Sequence, residues 1–412
     1  MRSFLYLCDM VKKFSTAPPE RIAIKVNKAA ERMIRKQHPW VFESAIVKQS
    51  KEGKAGDLAI IYDQKNNKLL AIGLYDPDSL IRIKILQFKQ SAEINQAWFQ
   101  AKIQTAYDRR KSLLTTKTNS YRLIYGENDG LPALIADVYD KVLVIKLYAR
   151  IWLPYLEELL PLLLTISTCE TAVLRLSRNV QKQLSELEDG QVLHGNLAKE
   201  DIIFLEHGLR FSANVVKGHK TGYFLDHRHN RRQIGTLSKD KSVLDIFAYA
   251  GGFSVHALAG GSKRVVSLDI SKQALAMARQ NVTLNNLAAK HETMAIDAFE
   301  GMQQLAKKRE KFDIIIVDPP AFAKREKEVE KALYSYVRLV KLAIPLVQKN
   351  GILLMCSCSS RVKSEAFFEL VVGALQKSKR PFRELERTFH DVDHPIGFPE
   401  GAYLKSIYVR LL

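Results

Sequence analysis

Short apolar runs separated by polar turns fill residues 21 to 90. RIAIKV, DLAIIYD, LLAIGLY and IRIKILQF have the length and alternation of strands. KEGKAGD, DQKNNK and DPDS carry the glycine, asparagine and proline that close turns between them. The pattern predicts a small β barrel over 21–90. HPWVF, at 38 to 42, adds aromatics that serve as core or as a loop anchor. From 93 to 114 the period changes. Ile94, Trp98, Ile103 and Tyr107 recur at roughly helical spacing, and DRRK follows near the end, as suits a helix C-terminus. RLIYG, ALIADVY and KVLVIKLY then read as strands, followed by a helix from about 152 to 166 and a strand AVLRLS. DIIFLE and LRFSANV flank His207-Gly208 as a hairpin. Residues 91–205 are therefore expected to form a central α+β domain.

Beyond about residue 240 strands and helices alternate. VLDIFAY, RVVSLDI, ETMAID, FDIIIVD and GILLMCS are apolar runs of strand length. SKQALAMARQNVTLNN and KALYSYVRLVKLAIPLV between them are helical. This alternation predicts an α/β domain over 206–412, a Rossmann-like doubly wound parallel sheet. No internal repeat and no low-complexity linker interrupts it.

Ligands of such sheets bind beyond the carboxyl ends of the strands. The first strand carries Asp245 into FAYAGGFS, where Gly251 and Gly252 allow a close backbone approach. Phe247 and Tyr249 stand where a G-x-G-x-x-G fingerprint needs glycine, so a pyrophosphate has no cradle, which argues against NAD or FAD. The second strand ends at Asp269, with Ser271 just after, and the third at Asp297. One acid suits ribose hydroxyls and another an adenine amine. Alone, each acid reads more simply as a helix N-cap. Together, beside the glycine turn, they fit an adenosine without phosphates, and S-adenosylmethionine is such a ligand. Asp245, Phe247, Tyr249, Gly251, Gly252, Asp269, Ser271 and Asp297 are its expected contacts, with Asp318 at the neighbouring strand end.

The fourth strand runs into Asp318-Pro319-Pro320-Ala321-Phe322. Two prolines fix the shape of this loop. It can hold a flat base against Phe322 and offer Asp318 to the polar edge of that base. The fifth strand ends in ILLMCSCSS, with Cys356 and Cys358 one residue apart. Zinc favours C-x2-4-C with a second pair, and redox pairs favour C-x-x-C, so neither a metal nor a redox role is expected. Cys356 belongs to the apolar run and reads as core. Cys358 falls in the polar turn and is the thiol expected to reach the cleft. Beside a methyl donor, a thiol has one distinctive use. Carbon 5 of a pyrimidine is a poor nucleophile until a thiolate adds to carbon 6. Asp318 would then steady ring nitrogen 3.

A net charge of +19 on 412 residues points to a polyanionic partner, nucleic acid being the commonest. Four cysteines make no disulfide framework, which suits a reducing cytoplasm. No apolar run approaches the roughly 20 residues of a membrane helix. Residues 1–20 read as a disordered extension, with Met10 as an alternative start and FLYLC too short for a signal-peptide core.

VLDIFAYAGGFS, VVSLDIS, VDPPAF, ILLMCSCSS and KTGYFLDHR together resemble the bacterial ribosomal RNA large-subunit cytosine-5 methyltransferases. HPWVF, AGDLAIIYD, GENDGLP and HPIGFPEGAYLK extend the resemblance over nearly everything after residue 20. The resemblance implies an RNA-binding PUA domain, a central α+β domain and a class I S-adenosylmethionine-dependent methyltransferase domain. It also implies that the cysteine of Ser357-Cys358-Ser359 is the nucleophile. In KTGYFLDHRHNRR it implies a loop closing over cofactor or base, with Phe224, Asp226 and Arg228 as substrate contacts alongside Pro319, Pro320 and Phe322. Arg231 and Arg232 read either as phosphate contacts or as a solvated helix face. Glu400 reads first as a turn acid and second as the base for the carbon 5 proton. The expected partner is large-subunit ribosomal RNA, with no membrane and no metal; a homodimer is left open. The expected activity is methylation of carbon 5 of a cytosine in that RNA. The alternatives are another RNA atom, such as uridine carbon 5 or an exocyclic amine, and a catalytically silent RNA-binding assembly factor. Charge and the N-terminal barrel argue against a small-molecule methyltransferase.

Overall fold

The computed structural model describes residues 18–184, 187–323 and 325–412. The expected N-terminal extension, with Cys8 and Met10, falls almost wholly outside them. The chain divides into two compact units. One comprises the chain through Phe204 together with Ala213–Leu225 and Val392–Phe398. The other comprises Leu205–Ser212, Asp226–Asp391 and Pro399–Leu412.

In the first unit, six strands form a sheet in the order Trp40–Val41, Ile83–Phe88, Leu69–Tyr75, Leu58–Tyr62, Arg21–Val26, Ile46–Gln49. Alternation drives it: Ile22, Ile24 and Val26 point inward on one strand, and Ala59 and Ile61 on its parallel neighbour. The helix Lys28–Arg35, between the strands Arg21–Val26 and Trp40–Val41, is an element the apolar pattern does not predict. Asn27 caps it, accepting from Ala30 N at 2.9 Å, but Ile34 is its one buried residue, so no apolar stripe announces it. A second sheet has the order Val192–His194, Thr171–Leu176, Val142–Leu147, Leu134–Tyr139, Ser120–Tyr125. Helices Gln96–Leu114 and Leu156–Ser167 cover it with Phe99, Ile103, Leu159 and Leu163. The expected helix at 152 begins as a 3-10 turn, Arg150–Tyr155, before Leu156–Ser167 turns α-helical.

The second unit is built on seven strands: β1 Ser242–Ile246, β2 Arg264–Asp269, β3 His291–Ala295, β4 Phe312–Val317, β5 Val347–Ser357, β6 Phe382–Thr388 and β7 Lys405–Leu411. Their order is β3-β2-β1-β4-β5-β7-β6. The five strands read from the sequence are present and mutually parallel. The sheet is nonetheless not wholly parallel, because β7 runs antiparallel to β5 and β6 antiparallel to β7. Strand β6, FRELERT, is exposed over most of its length, so it lacks the apolar run that marks the other strands. Helices α1 Arg228–Leu237, α2 Gly252–Ala259, α3 Lys272–Leu284, α4 Ala298–Lys307, α5 Val329–Ala343 and α6 Ser364–Lys377 complete the unit. The central strands are fully buried: Leu244, Ile315, Val317 and Leu353 show 0% exposure. The strand order reverses between β1 and β4. The crevice beyond their carboxyl ends is where such sheets bind ligands.

Candidate active site

β4 and β5 are parallel neighbours with Val317 opposite Met355. Asp318 follows the last residue of β4, and Cys358 follows the last residue of β5. Cys358 Sγ lies 3.9 Å from Asp318 Oδ1. A third group completes the cluster. His227, at the N-cap of α1, places Nε2 3.2 Å from Asp318 Oδ1 and 3.7 Å from Cys358 Sγ. His227 is 3% exposed, whereas Asp318 and Cys358 are partly open. Burial opposes protonation of His227, but the Asp318 carboxylate outweighs it and raises the imidazole's pKa.

The two cysteines part company. Cys356 is fully buried within β5, opposite Ser406 of β7, and burial pushes its thiol well above the ordinary range. Cys358 leaves the strand into a turn fastened on both sides. Ser357 Oγ bonds the Tyr336 hydroxyl at 2.8 Å, and Ser359 Oγ donates to the carbonyl of Ala323 at 3.0 Å. The second bond ties the turn bearing Cys358 to the loop bearing Asp318. Lys405 Nζ, fully buried, donates to the carbonyls of Ser359, Val362 and Tyr403. Burial brings its pKa down to about 8. Tyr336, Lys405 and His227 are site residues the sequence did not disclose. His227 stood in a segment already singled out, but nothing along the chain connects it with a cysteine 131 residues away.

At the other side of the crevice, the β1–α2 turn has left-handed backbone at Phe247 (φ 64°), Tyr249 (φ 47°) and Gly251 (φ 72°). Two aromatic residues held in that region mark a strained, over-determined turn of the kind found at ligand sites. A Cβ on Gly251 would stand 2.8 Å from Ala278 Cβ, so glycine is required there twice over. Tyr249 N donates to Asp269 Oδ2 at 3.0 Å and Ser271 N to Asp269 Oδ1 at 2.8 Å. Each oxygen keeps a lone pair for a ribose hydroxyl. Ser271 Oγ and Asp297 Oδ1 serve as N-caps of α3 and α4, accepting from Ala274 N and from Phe299 N and Glu300 N. Asp297 lies two residues beyond the end of β3 rather than at its end.

Asp245 gives the sharpest test of cofactor fit. Its Oδ2 accepts from Ser254 N and Oγ, at 3.1 and 2.7 Å. Its Oδ1 is buried and has no hydrogen-bond partner among the described residues. Burial, and then the Asp318 and Asp269 carboxylates, push its pKa up to about 7. An orphaned acceptor in a crowd of acids calls for a cation. The ammonium and sulfonium of S-adenosylmethionine supply that charge, and Asp269 suits its ribose.

The substrate contacts expected from the loop are partly corrected. Arg228 is fully buried, 3.5 Å from Asp391 and 3.8 Å from Glu206, so its guanidinium is not presented to a ligand. Arg231 is neither a phosphate contact nor part of a solvated face. It is buried in a two-point pair with Glu206, at 2.6 Å for both bonds. His256 Nε2 joins the same carboxylate at 2.9 Å. Burial alone would raise Glu206, but Arg231 and His256 hold it well below the usual carboxylate range. Pro319 is buried as well, which leaves Pro320 and half-buried Phe322 at the surface of the loop. Phe322 meets Tyr336 edge-on, with centroids 5.2 Å apart. Asp226 Oδ2 accepts from the Tyr403 hydroxyl at 2.7 Å. Phe224 belongs to the first unit, where Lys220 Nζ sits 4.6 Å over its ring. Glu400 is exposed in the 3-10 turn Pro399–Gly401.

Residues 122–399 match a family described as S-adenosylmethionine-dependent methyltransferase, and residues 24–88 match a PUA-like domain. The chain is 42% identical to a "Ribosomal RNA large subunit methyltransferase" of Deinococcus radiodurans, over 96% of this chain and 98% of that one. It is 35% identical to "Ribosomal RNA large subunit methyltransferase I" of Escherichia coli strain SMS-3-5, over 95% and 100%. Among solved structures, a methyltransferase complexed with S-adenosylhomocysteine shares the fold at a TM-score of 0.80 and 20% identity, over 95% of this chain and 100% of that one. The chain belongs to the S-adenosylmethionine-dependent methyltransferases with a PUA-like N-terminal domain, in the family of the ribosomal RNA large subunit methyltransferases, and S-adenosylmethionine is its cofactor.

Proposed function

We propose that this protein methylates carbon 5 of a cytosine in large-subunit ribosomal RNA through a covalent adduct on Cys358. The observation that carries the proposal is the approach of Cys358 Sγ to Asp318 Oδ1 at the ends of adjacent strands. A nitrogen target needs no thiol, since its lone pair attacks the methyl directly. A carbon 5 target needs one.

Bound S-adenosylmethionine supplies a methyl group on a sulfonium. Asp245 and Asp269, beside the strained turn from Phe247 to Gly251, would hold the cofactor through its ammonium and ribose. Asp318 takes the thiol proton of Cys358. The thiolate forms a bond from Sγ to carbon 6 of the cytosine. The displaced electron pair makes carbon 5 nucleophilic, while the proton now on Asp318 is shared with ring nitrogen 3. Once carbon 5 is substituted, a base removes its proton, the Sγ–carbon 6 bond breaks and the thiolate returns. The target base has to be flipped or presented in a loop to reach these groups.

Support for an RNA substrate comes from the names of the relatives, the net charge of +19 and the PUA-like domain. In that domain Lys25 faces Lys48 directly across antiparallel strands, and Tyr62 continues the row on the next strand. Like charges placed opposite each other destabilise a sheet, and a polyanion relieves them. They line a cleft of about 310 Å³ with Ser50 and Asn67. A base can stack on Tyr62 while the lysines meet phosphates.

Ribosomal RNA fragments carrying 5-fluorocytidine test the proposal. Fluorine at carbon 5 cannot leave as a proton, so the adduct persists. The wild type should form an RNA-linked species stable to denaturation, and Cys358→Ala should form none. Failure of the wild type to form it, on RNA whose unsubstituted form it methylates, would move the chemistry to another atom.

A further inference from the structure

Three ligand-type atoms, His227 Nε2, Asp318 Oδ1 and Cys358 Sγ, lie within 4.8 Å of one another. Such a cluster admits three roles for the histidine: base for the thiol, ligand of a metal, or fixed hydrogen-bond donor. The first two need a lone pair on Nε2. The third needs a proton there. The neighbours of the other ring nitrogen decide between them.

His227 Nδ1 lies 3.2 Å from the amide nitrogen of Asn230. The orientation of that amide is itself fixed. Asn230 Oδ1 receives the Thr388 hydroxyl at 2.6 Å and the Tyr408 hydroxyl at 3.1 Å. Two hydroxyls donate to this one atom, so the oxygen of the amide faces Thr388 and Tyr408. The amide nitrogen therefore faces Ser406 Oγ, at 3.1 Å, and His227 Nδ1. An amide N–H pointing at Nδ1 requires a lone pair on Nδ1, and this puts the ring proton on Nε2.

We propose that His227 is a positioning residue that keeps its proton on Nε2, holds Asp318 with it and turns the same N–H toward the thiolate of Cys358. It neither takes the thiol proton nor ligates a metal. A metal-bound histidine directs its free N–H to an acceptor, and here Nδ1 meets a donor instead. Titration does not change this assignment. The charged or titrating groups that act on His227 are Asp318, Asp226, Arg231 and Cys358, and a second proton would enter at Nδ1 while leaving the Nε2–H in place. The inference deepens the proposed function, and it rests on Cys358 being the nucleophile.

The test compares wild type, His227→Gln and His227→Ala, each in a Cys356→Ala background. Two quantities are read across pH: alkylation of Cys358 by iodoacetamide without RNA, and methyl transfer to ribosomal RNA. Glutamine keeps an N–H donor but cannot act as a base near neutral pH. His227→Ala should lose about tenfold or more in both rates, by analogy with removal of one oriented donor. His227→Gln should recover most of that loss with an unchanged pH profile. Thermal melts confirm that each variant is folded. His227→Gln as slow as His227→Ala, or an acid limb in the wild type that vanishes with glutamine, would overturn the donor role. Zinc inhibition of the wild type that His227→Gln abolishes would overturn it too. Alkylation is independent of the RNA target, so a failure of the cytosine proposal would leave this outcome legible.

Discussion

Oδ1 of Asp318 is shared by Cys358 Sγ at 3.9 Å and His227 Nε2 at 3.2 Å, so one carboxylate oxygen joins the ends of two parallel strands to the start of a helix. The same carboxylate acts on Asp245 at the end of β1. The thiol side and the cofactor side of the crevice are thus electrostatically coupled through Asp318.

That coupling makes cofactor binding pH-dependent. Asp245 has its pKa pushed up to about 7 in the free protein. A bound cation favours the carboxylate, so binding releases a proton, and affinity should rise as pH climbs through about 7. Isothermal titration in buffers of different ionisation enthalpy reads the released proton. Asp245→Asn should bind more weakly and lose the dependence. The same shift carries a stability consequence of definite sign. Between the ordinary value of 3.8 and about 7 the folded state holds the extra proton, so this group's contribution to stability falls as pH rises through that window.

Glu206 neutralises a buried cluster. It is fully buried, bonded to Arg231 and His256, with Arg228 3.8 Å away. Glu206→Gln keeps the shape but leaves the guanidiniums without their counter-charge. Breaking one partner of a buried pair costs about 3–5 kcal/mol, which denaturant unfolding of the variant should show.

The lysine row in the PUA-like domain should govern RNA affinity without touching the chemistry. Lys25→Gln with Lys48→Gln removes the mutual repulsion across the strand pair, so folding is retained. RNA binding measured against salt should weaken at every sequence tested. The slope of log affinity against log salt should flatten by roughly one unit for each phosphate that the two lysines no longer neutralise. An unchanged slope would place the RNA-binding surface elsewhere.

The sequence disclosed those elements whose signal is local. Strands β1, β2, β4 and the second half of β5 are buried over most of their length and read as largely apolar runs, and the turn at Gly251 carries its own glycine. Cys356 and Cys358 could be told apart because one lies in an apolar run and the other in a polar turn. What stayed hidden depends on partners far along the chain. Arg228 reads as a substrate contact, and Arg231 as a phosphate contact or part of a solvated face, until Glu206 and Asp391 are placed beside them. His227 acquires its place from Asp318 and Cys358, and Lys405 from the carbonyls of the Cys358 turn. Strand β6 escaped because its neighbour β7 covers an edge, not a face, and its residues remain exposed.

The central claim is that Cys358, and not Cys356, attacks the base. Its most direct test is transfer of a labelled methyl group to ribosomal RNA lacking the modification, followed by nucleoside analysis, with wild type, Cys358→Ala and Cys356→Ala side by side. The account predicts label in 5-methylcytidine, no turnover by Cys358→Ala, and a Cys356→Ala rate within about threefold of wild type, as for a buried packing residue whose loss costs about 1 kcal/mol of stability. Full activity of Cys358→Ala, or label on a ring or exocyclic nitrogen, would contradict it.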